Sequence, residues 1–344
     1  MKASWYETKR EEGGPQMRKG ELIKVFGFVL LTVTLMLMSG AGGRAAAAEY
    51  PDRAITLVIP YPPGGVTDLG ARALAEAMEK QLKKPVVAVN KPGGSTTMGG
   101  NAVATAKPDG YTIGFFPSSA SIPEVYTYFY EAPFSSKDLK PVSKVGIPVL
   151  TIAVKGDSPI NSVKDLVEYA RKNPGAKIGI HGKSTQGYLA MKSIAKAENV
   201  SLIDVPFDGD TKIVPAILGG HVPAGTPAYP AVISLIDAKQ IKVLALLLEK
   251  RAEFAPNTPT IVELGYKFAM GAYLGVFAPK GTPDSIIKKL NDAIGKIAQD
   301  PQFRAKIHGM GTQASFEDTK AFEKSINQYK DALQVFFKEE GLVK

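Results

Sequence analysis

The sequence has no cysteine, three histidines and one tryptophan in 344 residues. Without cysteine there are no disulfides, iron–sulfur clusters, thiol nucleophiles or Cys-ligated zinc, and no lipidated N-terminus of the bacterial lipoprotein kind. His181, His221 and His308 lie far apart in the chain, so no metal-binding cluster is expected. A charge run with interleaved aromatics is also missing. Residues 1–48 carry seven basic and four acidic groups, and the remainder holds 35 Lys and Arg against 29 Asp and Glu. This mild, dispersed excess does not describe a nucleic-acid binder, and no nucleic-acid partner is expected. Apolar residues make up 44% of the chain, which excludes disorder and collagen-like structure.

One uncharged run stands out, Val25–Met38. Its fourteen residues fall short of the ~20 that cross a bilayer. Lys19 and Lys24 precede it, and the small residues of SGAGGRAAAAEY follow, with Ala46 and Ala48 as an A-x-A-like pair. That order is the one a secretory signal needs, with cleavage expected after Ala48 and residues 1–48 as the leader. Met1 and Met17 are both possible starts, and an uncleaved N-terminal anchor is the competing reading. The sole tryptophan, Trp5, lies in this leader.

Beyond it, strand and helix patterns alternate. Ile55–Ile59, Val86–Val89, Tyr111–Phe116, Lys177–Ile180, Leu202–Val205 and Ile241–Leu248 read as strands. Helical spacing is expected from Asp68 to Leu82, over NAVATAK, from Thr185 to Ala197, from Ile213 to Leu218 and from Thr319 to Glu339. Ser162 with Asp165 resembles a capping box that opens SVKDLVEYARK, and Asn173-Pro174-Gly175 stops it. Thr282-Pro283 suggests a helix with Thr as cap and Pro at its first position, running to about Ala298. The alternation predicts an α/β fold with parallel sheets covered by helices on both faces. Ligands of such sheets bind beyond the carboxyl ends of the strands.

Two loops at such strand ends combine proline stiffness with glycine freedom. Pro60-Tyr61-Pro62-Pro63-Gly64-Gly65-Val66-Thr67-Asp68 leads from a strand into a helix. Asn90-Lys91-Pro92-Gly93-Gly94-Ser95-Thr96-Thr97-Met98-Gly99-Gly100 does the same. Exposed N–H groups at a helix start, reinforced by the helix dipole, favour an anion. A tight turn with an ordinary cap, or a flexible connection, is the alternative for each. A third loop, Gly179-Ile180-His181-Gly182-Lys183-Ser184-Thr185, invites a P-loop reading, but Lys177 stands where that motif needs its first glycine. No dinucleotide fingerprint is present. Ser184 sits in GKSTQG, with Gly187 one place too late for a nucleophile elbow. No reactive constellation emerges, so neither an enzyme nor a cofactor is expected.

From YPDRAITLVIPYPPGGVTDLG through VVAVNKPGGSTTMGGNAVATAKPDGYTIGF, the chain resembles the substrate-binding proteins of tripartite tricarboxylate transporters, the Bug receptors of the TctC family. The likeness runs on through VPFDGDTKIVPAILGGHV, EKRAEFAPNTPTIVELGY and YLGVFAPKGTPDSIIKKLNDAI. The resemblance implies a periplasmic, two-lobed α/β binding protein of the type II, Venus-flytrap kind, with central sheets flanked by helices and a two-strand hinge. One lobe would comprise 49–150 and 274–344, the other 151–273, with crossings near Gly146–Val154 and Tyr273–Ala278. It further implies a ligand carboxylate held by Tyr61, Pro62, Gly64, Gly65, Thr67 and Asp68 and by Gly94, Ser95, Thr96 and Thr97. The facing lobe would contribute His181, Gly182, Ser184, Thr185 and Gln186, then Phe207, Asp208 and Gly209, with Tyr229 ending the Pro223–Tyr229 segment. Departures from the family pattern occur at Ser184 for a glycine, Tyr188 for the usual His before Leu189, and Tyr273 for the usual Trp. They would fall on the side of the cleft away from the carboxylate, where Phe207, Tyr229 and Tyr273 are candidate apolar walls. The implied ligand is a small di- or tricarboxylate or an aromatic acid. The implied partners are the membrane permease subunits of such a transporter, with a sensor kinase as the alternative recipient of the signal.

Overall fold

The computed structural model describes residues 50–126, 131–182, 185–207, 209–266, 272–339 and 341. The expected leader, Ser184 and Asp208 lie outside the described residues. The chain runs β1 (Ile55–Ile59), α1 (Val66–Leu82), β2 (Val86–Asn90), α2 (Thr97–Ala104), β3 (Thr112–Phe116), the single-turn α3 (Ser118–Ser121) and β4 (Leu139–Pro148). There follow β5 (Thr151–Lys155), α4 (Val163–Lys172), β6 (Ala176–Ile180), α5 (Gln186–Ala197), β7 (Leu202–Pro206), α6 (Asp210–Leu218), β8 (Ala224–Gly225), α7 (Tyr229–Asp237) and β9 (Ile241–Leu246). The last elements are β10 (Leu274–Pro279), α8 (Asp284–Gln299), α9 (Pro301–Gly309), β11 (Thr312–Glu317) and α10 (Thr319–Glu339).

Two sheets result, in the orders β11-β4-β10-β3-β1-β2 and β7-β6-β8-β5-β9. Each is flanked by helices, so the molecule is a two-lobed α/β protein. In the first sheet, the side-chain alternation of β1 sorts its residues onto two faces. Ile55, Leu57 and Ile59 pack with Leu74 and Met78 of α1 and Leu290 and Ile294 of α8. Val58 faces the other way, with Val103 of α2 and Phe322, Tyr329 and Leu333 of α10. In the second sheet, Ile152 and Val154 meet Leu166 of α4 and Leu189 of α5. Ala153 meets Ile213 and Ile217 of α6 and Val232 of α7. Each fully buried Leu or Ile contributes roughly 1.5–3 kcal/mol. These paired faces explain why the β1 and β5 runs are apolar almost without interruption.

The sheets are mixed, which corrects the expectation of parallel ones. β1 pairs in parallel with β2 and β3, and β6 with β7 and β8. β10 runs antiparallel to β3 and β4, β11 to β4, and β5 to β8 and β9. Most of the antiparallel members pair residues far apart in the chain, and helical spacing in the sequence cannot reveal them. Between β4 of one sheet and β5 of the other the chain passes through Val149 and Leu150, both buried.

Local capping also differs from expectation in two places. Ser162 caps α4 by accepting from the Asp165 N–H at 3.0 Å. The Asp165 carboxylate, however, accepts from the Asn161 N–H and not from that of Ser162, so only half of the capping box forms. α8 begins one residue later than expected, with Pro283 in the cap position, and the Thr282 hydroxyl is buried without a partner. The proline ring has no N–H and extended ψ, so the helical hydrogen-bond pattern starts behind it.

Candidate functional site

The parallel strands set the loops side by side. Ile59 of β1 is in register with Asn90 of β2, and Val58 with Gly114 of β3. Their C-terminal ends therefore share one edge, where α1, α2 and α3 begin. In the other sheet Ile180 is paired with Pro206, and Gly179 with Gly225, which brings the ends of β6, β7 and β8 together in the same way.

The first loop is held by a bracket of three side chains. The Asp68 carboxylate is 2% exposed and accepts from the Gly64 N–H at 2.9 Å and from Asn90 Nδ2 at 2.8 Å. Arg72, one helical turn on, donates its Nε to the same carboxylate at 3.1 Å and its Nη2 to Asn90 Oδ1 at 2.7 Å. Asn90 Nδ2 also reaches the Tyr61 carbonyl at 2.9 Å. Burial by itself would raise the Asp68 pKa, but the hydrogen bonds from Arg72, Gly64 and Asn90 outweigh it, and the carboxyl is held below its ordinary value. Asp68 is thus turned inward on the loop and serves as its brace. Pro62 and Gly64 are exposed, Tyr61 and Gly65 half-buried, and Thr67 buried. Gly65 is the N-cap of α1 and supplies no side-chain cap, so the first N–H groups of that helix remain open for another acceptor.

In the second loop, four consecutive residues have positive φ: Gly93 (125°), Gly94 (55°), Ser95 (52°) and Thr96 (84°). For Ser95 and the β-branched Thr96 this left-handed backbone costs about 1–2 kcal/mol each. A Cβ on Gly94 would lie 2.4 Å from Thr97 Oγ1, which donates to the Gly94 carbonyl at 2.8 Å. Thr96, the N-cap of α2, makes no side-chain cap either, and its hydroxyl is directed to Ser119 Oγ at 3.5 Å. Ser119 is also hydrogen-bonded with the Tyr61 phenol, whose pKa burial raises despite that bond. Gly94 and Ser95 are exposed, Thr96 and Thr97 buried. The curl closes on itself: the Thr96 and Met98 N–H groups donate to the Gly93 carbonyl at 3.1 and 3.4 Å, and the Thr97 N–H to the Gly94 carbonyl.

The five-stranded lobe brings His181, Gly182, Thr185, Gln186 and Phe207 to its strand ends. His181 Nε2 lies 2.9 Å from Asp210 Oδ1, which also accepts from the Ala228 N–H at 2.9 Å. Burial opposes ionisation of Asp210, yet the His181 contact and the Ala228 bond hold its pKa below the ordinary value. Thr185 donates its hydroxyl to the Gly182 carbonyl at 2.7 Å and leaves α5 without a side-chain cap. α6 starts at Gly209 and α7 at Ala228, again without side-chain caps. By contrast Ser162 and Asp300 do cap α4 and α9.

The two tyrosines expected as cleft walls differ in setting. The Tyr229 ring packs on Phe254 at 5.1 Å, against the cluster around Val149, Leu246 and Leu248, directly after Ala228, whose N–H donates to Asp210. Tyr273 is a core residue, 2% exposed, T-shaped against Phe322 and bonded to Ser121 at 2.8 Å, which corrects its reading as a cleft wall. Asn90, Arg72, Ser119 and Asp210 take part in the site although the sequence reading assigns them no role there. Asp210 had a signal, a carboxylate in the first turn of a helix just past the P-F-D-G turn. Arg72 had none beyond its i+4 spacing from Asp68. The surface depression lined by Arg72, Glu76, Glu79, Lys80 and Val86 shares only Arg72 with this site. Among the described residues no group of three or more His, Asp or Glu is placed to hold a metal, and no helix is long and apolar enough to cross a membrane.

Two α/β lobes with glycine-rich loops at the ends of their parallel strands define the fold of a periplasmic solute-binding protein. The solved structure of the periplasmic binding protein BugD superposes with a TM-score of 0.75 at 30% identity, over 85% of this chain and 99% of BugD. BugT of Bordetella pertussis is 31% identical over 286 residues, 82% of this chain and 86% of its own length. A Cupriavidus necator protein of the UPF0065 group, from the gbd 5' region, is 31% identical over 301 residues, 85% of this chain and 88% of its own. Residues 70–342 match the tripartite tricarboxylate transporter family receptor, TctC, and the chain belongs to that family.

Proposed function

We propose that this protein is an exported receptor that captures a small organic carboxylate between its lobes and delivers it unchanged to the membrane permease subunits of a tripartite tricarboxylate-type transporter. The observation that carries this reading is the start of α1 at Gly65, which has no side-chain cap and stands beside the second glycine-rich loop through the β1–β2 register. A carboxylate seated there accepts charge-assisted hydrogen bonds worth about 1.5–3 kcal/mol each. Micromolar affinity needs about 8 kcal/mol in all, so two such loops with apolar contact suffice without an arginine on the ligand. Arg72 is already committed to Asp68 and Asn90. In this reading residues 49–150 and 274–344 form the lobe that seats the carboxylate, residues 151–273 form the closing lobe, and the segments near Gly146–Val154 and Tyr273–Ala278 form the hinge. Ligand drives closure by binding the closed form more tightly than the open one.

Two structures of the same fold support a small acid as cargo. Rpa4515 of R. palustris holds adipate (24% identity, TM-score 0.77), and MatC of Rhodopseudomonas palustris holds malate (23%, TM-score 0.73). At that identity the likeness is one of fold. The test is a thermal-shift screen of mono-, di-, tri- and aromatic carboxylates beside their amides. A ligand at 100 times its Kd adds about 2.7 kcal/mol of stability. At least one acid raises the melting temperature and its amide does not; no shift from any organic anion refutes the proposal. Loss of uptake of that acid on deletion of the gene then assigns delivery to a permease, as opposed to signalling through a sensor kinase.

A further inference from the structure

Every sulfur atom in this chain belongs to a methionine, because there is no cysteine. Among the described residues, Met78 and Met191 are fully buried, and Met310 is half-buried against the core around Ile55 and Leu74. Met98 differs: it is 60% exposed, in the first turn of α2. Its thioether folds back over the second glycine-rich loop, where a Cβ added to Gly93 would fall 2.4 Å from Met98 Sδ. Gly93 has a φ of 125°, and the sulfur fills the space that its missing side chain leaves open. The Met98 N–H donates to the Gly93 carbonyl at 3.4 Å, so backbone and side chain together clasp the start of the loop to the start of the helix. The clasp spans Ser95 and Thr96, whose left-handed backbone has to be held by its surroundings. On its other side α2 is pressed against the first loop, since a Cβ on Gly99 would lie 2.8 Å from Pro60 Cα. Met98 thus ties a solvent-facing, oxidisable sulfur to the geometry of both loops.

We infer that Met98 is a modification site: oxidation of its sulfur by hydrogen peroxide unclasps the second loop and lowers the affinity for carboxylates. The consequence rests on the carboxylate reading above; the modification itself does not. In the step, a lone pair of Met98 Sδ attacks one oxygen of the peroxide. The S–O bond forms as the O–O bond breaks, the sulfur is oxidised by two electrons, and the other oxygen leaves as water with both protons. The product carries a polar, chiral sulfur in place of an apolar one. Because the sulfur already occupies the space beside Gly93, the added oxygen turns the side chain out to water or pushes the loop aside, and either breaks the clasp. Methionine sulfoxide reductases remove that oxygen, so the change is reversible.

The experiment exposes the folded protein to graded hydrogen peroxide and follows each methionine by peptide mass spectrometry. Met98 is converted about tenfold or more faster than the buried Met78 and Met191. Citrate, malate, adipate and benzoate are then titrated calorimetrically into untreated protein and into protein carrying the Met98 sulfoxide. Affinity for an acid that binds the untreated protein falls about threefold to tenfold, and methionine sulfoxide reductase restores it. Met98→Leu, whatever its own affinity, keeps that affinity through the same exposure. Met98→Gln, polar and of similar length, shows the loss without peroxide. Met98 reacting no faster than the buried methionines, oxidation with no loss of affinity, or a loss that persists in Met98→Leu overturns the inference and leaves the carboxylate reading intact. Failure of every acid to bind the untreated protein overturns the carboxylate reading and the loss of affinity with it, whereas preferential oxidation of Met98 stands or falls on the mass spectra alone.

Discussion

Asp68→Asn removes one charge from the bracket while keeping its volume, and its cost can be worked from the contacts. The wild-type carboxylate faces donors only: the Gly64 N–H, Asn90 Nδ2 and Arg72. Asparagine offers a single carbonyl oxygen and points an NH₂ at a group that already donates. The Arg72 share is small, about 0–1 kcal/mol, because that side chain is 47% exposed and its pairing is screened. Gly64 is exposed, so water can replace its acceptor. What remains is the bond from the half-buried Asn90 to the buried carboxylate, and the expected net loss is about 1.5–3 kcal/mol. At roughly 2–4 °C per kcal/mol the melting temperature falls by on the order of 5 °C. Carboxylate affinity falls about tenfold, because the Gly64 turn is no longer held against β2. The pH dependence gives the sharper test. A carboxyl whose folded pKa is depressed adds stability that is present above its unfolded value, about 3.9, and lost as pH falls through the lower folded value. The gap between wild type and variant is therefore full at pH 7 and closes below about pH 4. Calorimetric melts from pH 7 to pH 3 read it directly. A gap that is constant across that range, or an unchanged affinity, refutes the assignment of Asp68 as the brace of the seat.

Further substitutions separate binding from folding. Gly65 has an ordinary φ of −83° and nothing within 4 Å of an added Cβ, so Gly65→Ala leaves the melting temperature within about 1 °C and lowers carboxylate affinity by crowding the helix start. Gly64, with equal space but φ of 96°, loses about 1–2 kcal/mol of stability as alanine, measured by denaturant titration. Asp210→Ala leaves the buried Ala228 N–H unpaired and costs about 1–3 kcal/mol at neutral pH. Because the Asp210 pKa is lowered, that cost fades as pH drops below about 4, which melts at pH 7 and pH 3 compare. Ser162→Ala removes the cap of α4, far from the loops, and costs about 1 kcal/mol with no change in ligand affinity.

Legibility in the sequence followed the range of the interactions. The strands β1, β2 and β6 and the long amphipathic α10 are written in their own side-chain periods, and each stands within a residue or two of its expected bounds. β4 is not written that way. It contains Pro141 and the charged Lys140 and Lys144, and it is a strand because β10 and β11 flank it. Lys144 is 9% exposed and finds its partner in Glu317 of β11 at 2.8 Å, far along the chain. The same holds at the site. The proline and glycine of the first two loops announce a turn ahead of a helix. That Asn90 closes the first loop from the end of the second strand is a fact of register.

Local chemistry therefore determined the alternation of strands and helices, the apolar faces and the two glycine-rich helix starts, because each depends on neighbours within a turn or two of the chain. The tertiary structure decided which carboxylates are braces and which aromatics are core. Those roles belong to pairs such as Asp68 with Asn90 at 2.8 Å and His181 with Asp210 at 2.9 Å, which only the packing of strands side by side brings together.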